Sequence, residues 1–406
     1  MSTPRVSRLD PEAITRLAIE RRLSRRQFLA ASGAAAGAAA LAGCAPPTGS
    51  TASSAPAVES SAPSSAASAP AQSAAASAPA ASGTMTLATW PNYHNPDAIA
   101  AFEQASGVKV NLTVYGSTEE METKIRAGNS GIDVVVPSNY AVEGWVADKL
   151  IQAIDYTKLP NFHREDWNAR FMDQAFDKGN THTIPKNWGT TGIAYRSEKV
   201  KEAVTSWKQF FEIAGTTYQG KSVIVDHQIS SIGSAAVGMG YSLNTIDPGE
   251  LGKIEAMLSA LKPKLYAITS DVQPPLRNED SWLSIAWTGD GVQVARDKAD
   301  ARYVVADDGG ELWIDSYSIA SDAPNAAAAY AFLDYILQPE NAALETTFCL
   351  FPHANDKATA LLDPAIKDNE IIYPKPERLT KLEYAVNATY NSPLRAETWA
   401  RIKASA

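Results

Sequence analysis

Cysteine and histidine are scarce in this 406-residue chain: two cysteines, Cys44 and Cys349, and five histidines. That shortage leaves no disulfide framework and little for a soft-metal site. His94, His163, His182, His227 and His353 show neither His-x-x-x-His nor Cys-His spacing, so no metal is expected. The chain has no Gly-x-Ser-x-Gly elbow and no glycine-rich phosphate loop with Lys, and no cofactor is expected. Its acid pairs, Asp307-Asp308 and Glu279-Asp280, fall in turn-like contexts where solvated loops are the rule. A binding protein is therefore favoured over an enzyme. Positive charge is also short, with 36 Lys and Arg against 45 acids. That balance argues against nucleic acid and anionic lipid as partners. Internal repeats, coiled-coil heptads and apolar runs of the roughly 20 residues that span a bilayer are all missing.

What is present begins with a leader. Seven arginines in residues 1–43 make a basic start, and Ser24-Arg25-Arg26-Gln27-Phe28-Leu29 carries the twin-arginine pattern of folded-protein export. The 15 residues from Phe28 to Ala42 are too short to span and read as a signal's apolar core. Leu41-Ala42-Gly43-Cys44 resembles the lipobox of bacterial lipoproteins, which implies acylation of Cys44 and a membrane reached through a lipid anchor. From Ala45 to Gly83 the chain is almost only Ala, Ser, Pro, Thr and Gly, a disordered tether. Cys349, in an apolar run, reads as a buried small hydrophobe.

Residues 84–406 are long enough for two lobes. Strands expected at 86–89, 109–115 and 133–136 alternate with helices at 97–105 and 118–127, the rhythm of a parallel α/β sheet. The rhythm resumes with strands at 192–195, 222–225 and 283–287 and helices at 207–214, 249–261, 291–298 and 325–336. In such sheets ligands sit at the carboxyl ends of strands. Trp90, Tyr93, Ser138, Tyr140, Trp287 and Asp290 fall there.

Trp313-Ile314-Asp315-Ser316 places an aromatic and a carboxylate two apart, hence on one face of a strand. A buried ammonium group needs that pair: a counter-charge and a surface that tolerates both cation and methylenes. A core Trp and a turn-capping Asp fit the tetrapeptide equally well. Asp290 likewise fits either a ligand contact or the N-cap of a helix starting at Gly291.

The ordered motifs Trp90-Pro91-Asn92-Tyr93, Asp133-Val134-Val135-Val136-Pro137-Ser138-Asn139-Tyr140, Ile184-Pro185-Lys186-Asn187-Trp188-Gly189, Trp287-Thr288-Gly289-Asp290 and Gly309-Gly310-Glu311-Leu312-Trp313-Ile314-Asp315-Ser316 resemble the spermidine/putrescine-binding proteins of bacterial ABC importers. The resemblance covers nearly all of 84–406. It implies a type II periplasmic-binding-protein fold with two lobes and a hinge, lobe 1 taking about 84–188 and 315–360, lobe 2 about 189–314 and 361–406. It implies a small cationic amine as ligand, a membrane permease with a cytoplasmic ATPase as partner, and action as a monomer outside the cytoplasm. It carries cleft roles onto Trp90, Tyr93, Ser138, Tyr140, Trp287 and Trp313, a charge role onto Asp315, and an added carboxylate onto Asp290.

The departures concern one end of the cleft. Where the family has two acids this chain has His227 and Ser230, and where putrescine-binding members have a further carboxylate it has Asn92. That end is expected to be neutral unless Asp226 reaches it. A neutral end would suit a monocation with a polar or anionic tail, such as an ω-amino acid, and His227 could meet a carboxylate.

Overall fold

The computed structural model describes residues 82–405. Cys44, the twin-arginine segment and nearly all of the expected tether lie outside those residues. The strands are β1 (Thr84–Thr89), β2 (Lys109–Val114), β3 (Val134–Val135), β4 (Ile184–Arg196), β5 (Ser222–Ile224), β6 (Ala267–Ile268), β7 (Leu283–Trp287), β8 (Ala301–Val304), β9 (Gly310–Ile319) and β10 (Leu382–Glu383). The helices of the first two thirds are α1 (Pro96–Ser106), α2 (Thr118–Arg126), α3 (Asn139–Ala147), α4 (Trp207–Gly215), α5 (Gln228–Gly238), α6 (Pro248–Leu261), α7 (Gln273–Asn278) and α8 (Thr288–Asp297). They are followed by α9 (Ala326–Ile336), α10 (Pro339–Cys349), α11 (Asp356–Leu361), α12 (Pro364–Lys367), α13 (Asn387–Tyr390) and α14 (Pro393–Ala404).

Local chemistry sets these limits. Asn95 caps α1 by accepting from the Asp97 amide at 2.9 Å, Pro96 fixes the first helical φ, and Gly107 ends the helix at φ 75. Asp308 receives the amide of Trp207 at 3.0 Å, so one member of that acid pair satisfies the start of α4.

The sheet runs β2-β1-β3-β9-β4-β7-β5-β6, with β10 on β9 and β8 on β4. Two parallel triplets, β2-β1-β3 and β6-β5-β7, flank an antiparallel pair, β4 and β9. β4 pairs with β9 up to Thr190 and with β7 from Thr191, while Ser318 and Ile319 of β9 pair with β3. These two strands thus run from one triplet to the other, the chain crossing that a two-lobe, hinged fold requires. The first lobe's core gathers Leu87, Phe102, Ile314 and Phe332, and the second's Phe210, Ile224, Leu258 and Ile285. Each such side chain contributes roughly 1.5–3 kcal/mol on burial. Leu362 packs with Ala342, Ala343 and Ala358 of α10 and α11. Cys349 is buried and free.

Candidate functional site

β9 alternates its faces. Leu312 and Ile314 enter the first lobe's core, whereas Trp313 is buried yet belongs to neither lobe's core. Asp315, on Trp313's side of the strand, is 6% exposed. Its carboxylate accepts from Tyr93 Oη at 2.7 Å and from Ser138 Oγ at 2.6 Å. Ser138 stands at the N-cap of α3 but makes no capping bond; its hydroxyl goes to Asp315 instead. Burial pushes the Asp315 carboxyl up to about 6, opposed by those two hydrogen bonds and by the charge of Lys186. No cation among the described residues pairs with it.

Aromatic faces surround this acid. The indole of Trp313 lies over Gly189, directly opposite it in the β4–β9 register; a Cβ there would sit 2.3 Å from the ring. Phe351 is 5.4 Å from Trp313 and 5.5 Å from Tyr93, ring centre to ring centre. Trp90 is half-buried and tilts against Tyr115 at 4.6 Å. The indole nitrogens of Trp90 and Trp313 are buried without a hydrogen-bond partner.

Below Tyr93 sits a charge cluster of a different kind. Lys186 is fully buried, with its ammonium 4.1 Å from the Tyr93 ring centre, donating to the Tyr93 carbonyl at 3.1 Å and lying 3.4 Å from Glu345. His94 Nδ1 is 2.7 Å from the same carboxylate. Burial alone would raise Glu345, but His94 and Lys186 outweigh it and pull the carboxyl down to about 2. Burial keeps the His94 imidazole down as well.

A second polar group is built around the start of α5. His227 caps α5, its Nδ1 accepting from the Ser230 amide at 3.4 Å. Its Nε2 meets Tyr140 Oη at 3.3 Å, joining the element after β5 to the element after β3. Trp287 is half-buried and edge-on to His227 at 6.0 Å. Ser230 is fully buried and donates to Glu311 Oε2 at 2.7 Å. Glu311 is 2% exposed and also accepts from Thr191.

Several sequence expectations need correction here. Ser230 does not stand apart from acids: Glu311, four positions before Asp315, brings a buried carboxylate to its hydroxyl. Asp226 does not join that group; it is exposed and held by Trp399 at 3.1 Å and Lys403 at 2.9 Å. Asn92 is exposed with φ 55, a left-handed turn position that asparagine tolerates better than most residues, and its side chain meets none of the cluster. Asp290 is not an N-cap, since α8 begins at Thr288; it lies in the first turn, half-buried and bonded to Gln273. Burial raises its carboxyl to about 6. Lys186, Glu311, Glu345 and Phe351 were not singled out from the sequence. Only Glu311 had a readable signal, the period-two spacing that already joined Trp313 to Asp315.

Residues 97–374 match the sequence family described as bacterial extracellular solute-binding protein. The putrescine-binding periplasmic protein of Pseudomonas aeruginosa strain UCBPP-PA14 is 33% identical over 332 residues, covering 77% of this chain and 90% of that one. The spermidine/putrescine-binding periplasmic protein of Escherichia coli K12 is 29% identical over 327 residues, covering 80% and 92%. A solved structure described as a putative spermidine/putrescine ABC transporter from Listeria monocytogenes superposes with a TM-score of 0.74 at 29% identity, covering 79% of this chain and 98% of its own. Among the described residues no helix is long and apolar enough to cross a membrane.

Proposed function

Since the chain belongs to the family of bacterial extracellular solute-binding proteins, we propose that it is the receptor of an ABC importer. In this reading it captures a polyamine of the putrescine and spermidine class between its lobes. It then delivers the ligand to a membrane permease driven by a cytoplasmic ATPase. The observation that carries the reading is Asp315: a buried carboxylate held only by the hydroxyls of Tyr93 and Ser138, beside an indole that belongs to no core. A buried charge without a counter-ion is costly, and an ammonium group seated there removes that cost. Trp90, Tyr93, Trp287 and Trp313 would offer ring faces to the ligand's cations and methylenes. Tyr140 and His227, one from each lobe, would seal the closed cleft around it.

The relatives are named as binding and transport proteins, and the proposal carries no catalytic step. Cys44 would bear two acyl chains, enough for stable anchoring where one is marginal. The segment from Ala45 to Gly83 would let the monomeric domain stand off the membrane and reach its permease. Calorimetric titration of the purified chain with putrescine and spermidine tests the ligand class, with saturable binding of either expected and no heat from either overturning it. Mass spectrometry of the exported protein tests the anchor, which is rejected if Cys44→Ser leaves the mature mass and membrane fraction unchanged.

A further inference from the structure

We propose that Glu311 is a second cation-binding carboxylate of this cleft, and that the strip Glu311, Trp313, Asp315 selects a short diamine over a monoamine, an ω-amino acid or a longer triamine. The inference rests on the amine-binding reading above and deepens it. All three residues sit at odd positions of β9 and so share its face. The register agrees with this: Asp315 lies opposite Asn187 and Trp313 opposite Gly189, and just past the last registered pair, Thr190 with Leu312, Glu311 accepts from the Thr191 hydroxyl. The two acids are built alike. Each is more than nine-tenths buried, and each takes two hydroxyl donors, Tyr93 and Ser138 for Asp315, Thr191 and Ser230 for Glu311.

Neither acid forms an ion pair among the described residues. Arg395 feels the charge of Glu311 but makes no ion pair with it; its guanidinium donates to the carbonyls of Leu243 at 3.0 Å, Thr245 at 2.9 Å and Ile229 at 3.4 Å. Glu311 therefore has hydrogen-bond donors and no ion pair among the described residues, the condition that a ligand ammonium relieves. Between the two acids lies the Trp313 indole, which Gly189 lets settle flat on β4. Methylenes fit that surface.

Spacing sets the ligand's length. Four residues at roughly 3.3 Å of rise separate the two acid positions by about 13 Å. Hydrogen bonds of about 3 Å at each end leave roughly 7 Å between ammonium nitrogens. An extended four-carbon diamine spans about 6 Å with ordinary bonds of about 1.5 Å. An ω-amino acid of equal length would turn its carboxylate toward Glu311, and like charges at such a site repel. His227 has both ring nitrogens engaged, Nδ1 in capping α5 and Nε2 with Tyr140 Oη at 3.3 Å.

The test is calorimetric titration of the purified full chain with putrescine, cadaverine, spermidine, n-butylamine and γ-aminobutyrate, comparing the native chain with Glu311→Gln and Glu311→Asp, each checked by thermal melting. Putrescine is expected to bind tightest. Glu311→Gln should weaken putrescine on the order of 30-fold or more while changing n-butylamine by less than about threefold. Glu311→Asp draws the charge back by one methylene and should move the preference from putrescine to cadaverine. If Glu311→Gln does not fold, that change of preference decides alone. An unchanged ratio of putrescine to n-butylamine affinity in the variants would make Glu311 a structural acceptor and overturn the inference. So would tight γ-aminobutyrate binding by the native chain. Failure of the native chain to bind any amine would instead defeat the amine-binding reading itself.

Discussion

The Tyr93 hydroxyl donates to the Asp315 carboxylate over 2.7 Å, joining the loop after β1 to the middle of β9. This bond and its twin from Ser138 hold a carboxylate whose proton affinity burial has raised to about 6. The acid is thereby charged at neutral pH and still without a cation of its own.

Amine affinity should fall as pH drops through about 6, because protonated Asp315 cannot pair with an ammonium. Titrations from pH 8 to 5 should show a flat upper region and a decline approaching tenfold per unit below the inflection. Tyr93→Phe removes a bond that favours the charged form, so it should move the inflection upward.

Burying Asp315 as an anion costs stability in the unliganded chain. A folded-state value above the unfolded one means the stabilising contribution is complete below about 3.8 and lost as pH rises through about 6. The difference corresponds to on the order of 3 kcal/mol at neutral pH. Asp315→Asn should therefore raise the melting temperature of the ligand-free protein at pH 7.5, and a lowered one would contradict this.

Gly189→Ala places a Cβ 2.3 Å from the Trp313 ring. The indole must tilt away from β4, and a ligand stacked on it should bind with an affinity lower by about 1–2 kcal/mol. The tryptophan fluorescence change on binding should shrink in parallel.

Glu345→Gln leaves Lys186 fully buried without a counter-charge. Loss of one member of such a pair typically costs about 3–5 kcal/mol. Because the folded value of Glu345 lies below the unfolded one, its contribution is present above about 4.5 and lost as pH falls through about 2. Denaturant unfolding at pH 7 should show the full loss, and a midpoint within error of the native chain would refute the role.

Much of the scaffold was legible because apolar periodicity and caps are local. The strand expected at 283–287 has those bounds in the structure, and the β-α-β-α-β opening is present. β4 was read only from Gly192 because Pro185, Lys186, Asn187 and Gly189 break its apolar pattern. In the fold, Lys186 pairs with Glu345 and Asn187 donates to the carbonyls of Phe351 and Pro352, partners more than 150 residues away in the chain. Where Asp226 turns is equally illegible in the sequence, since its partners Trp399 and Lys403 lie more than 170 residues away. Glu311 was visible in principle: the parity that linked Trp313 to Asp315 extends two residues back.

The central claim, that Asp315 holds a ligand ammonium between the lobes, is tested most directly by calorimetric titration of the native chain and of Asp315→Asn with putrescine at pH 7.5. Saturable binding by the native chain and a loss of about 2–5 kcal/mol in the variant are predicted. Equal affinity in the two proteins would contradict it.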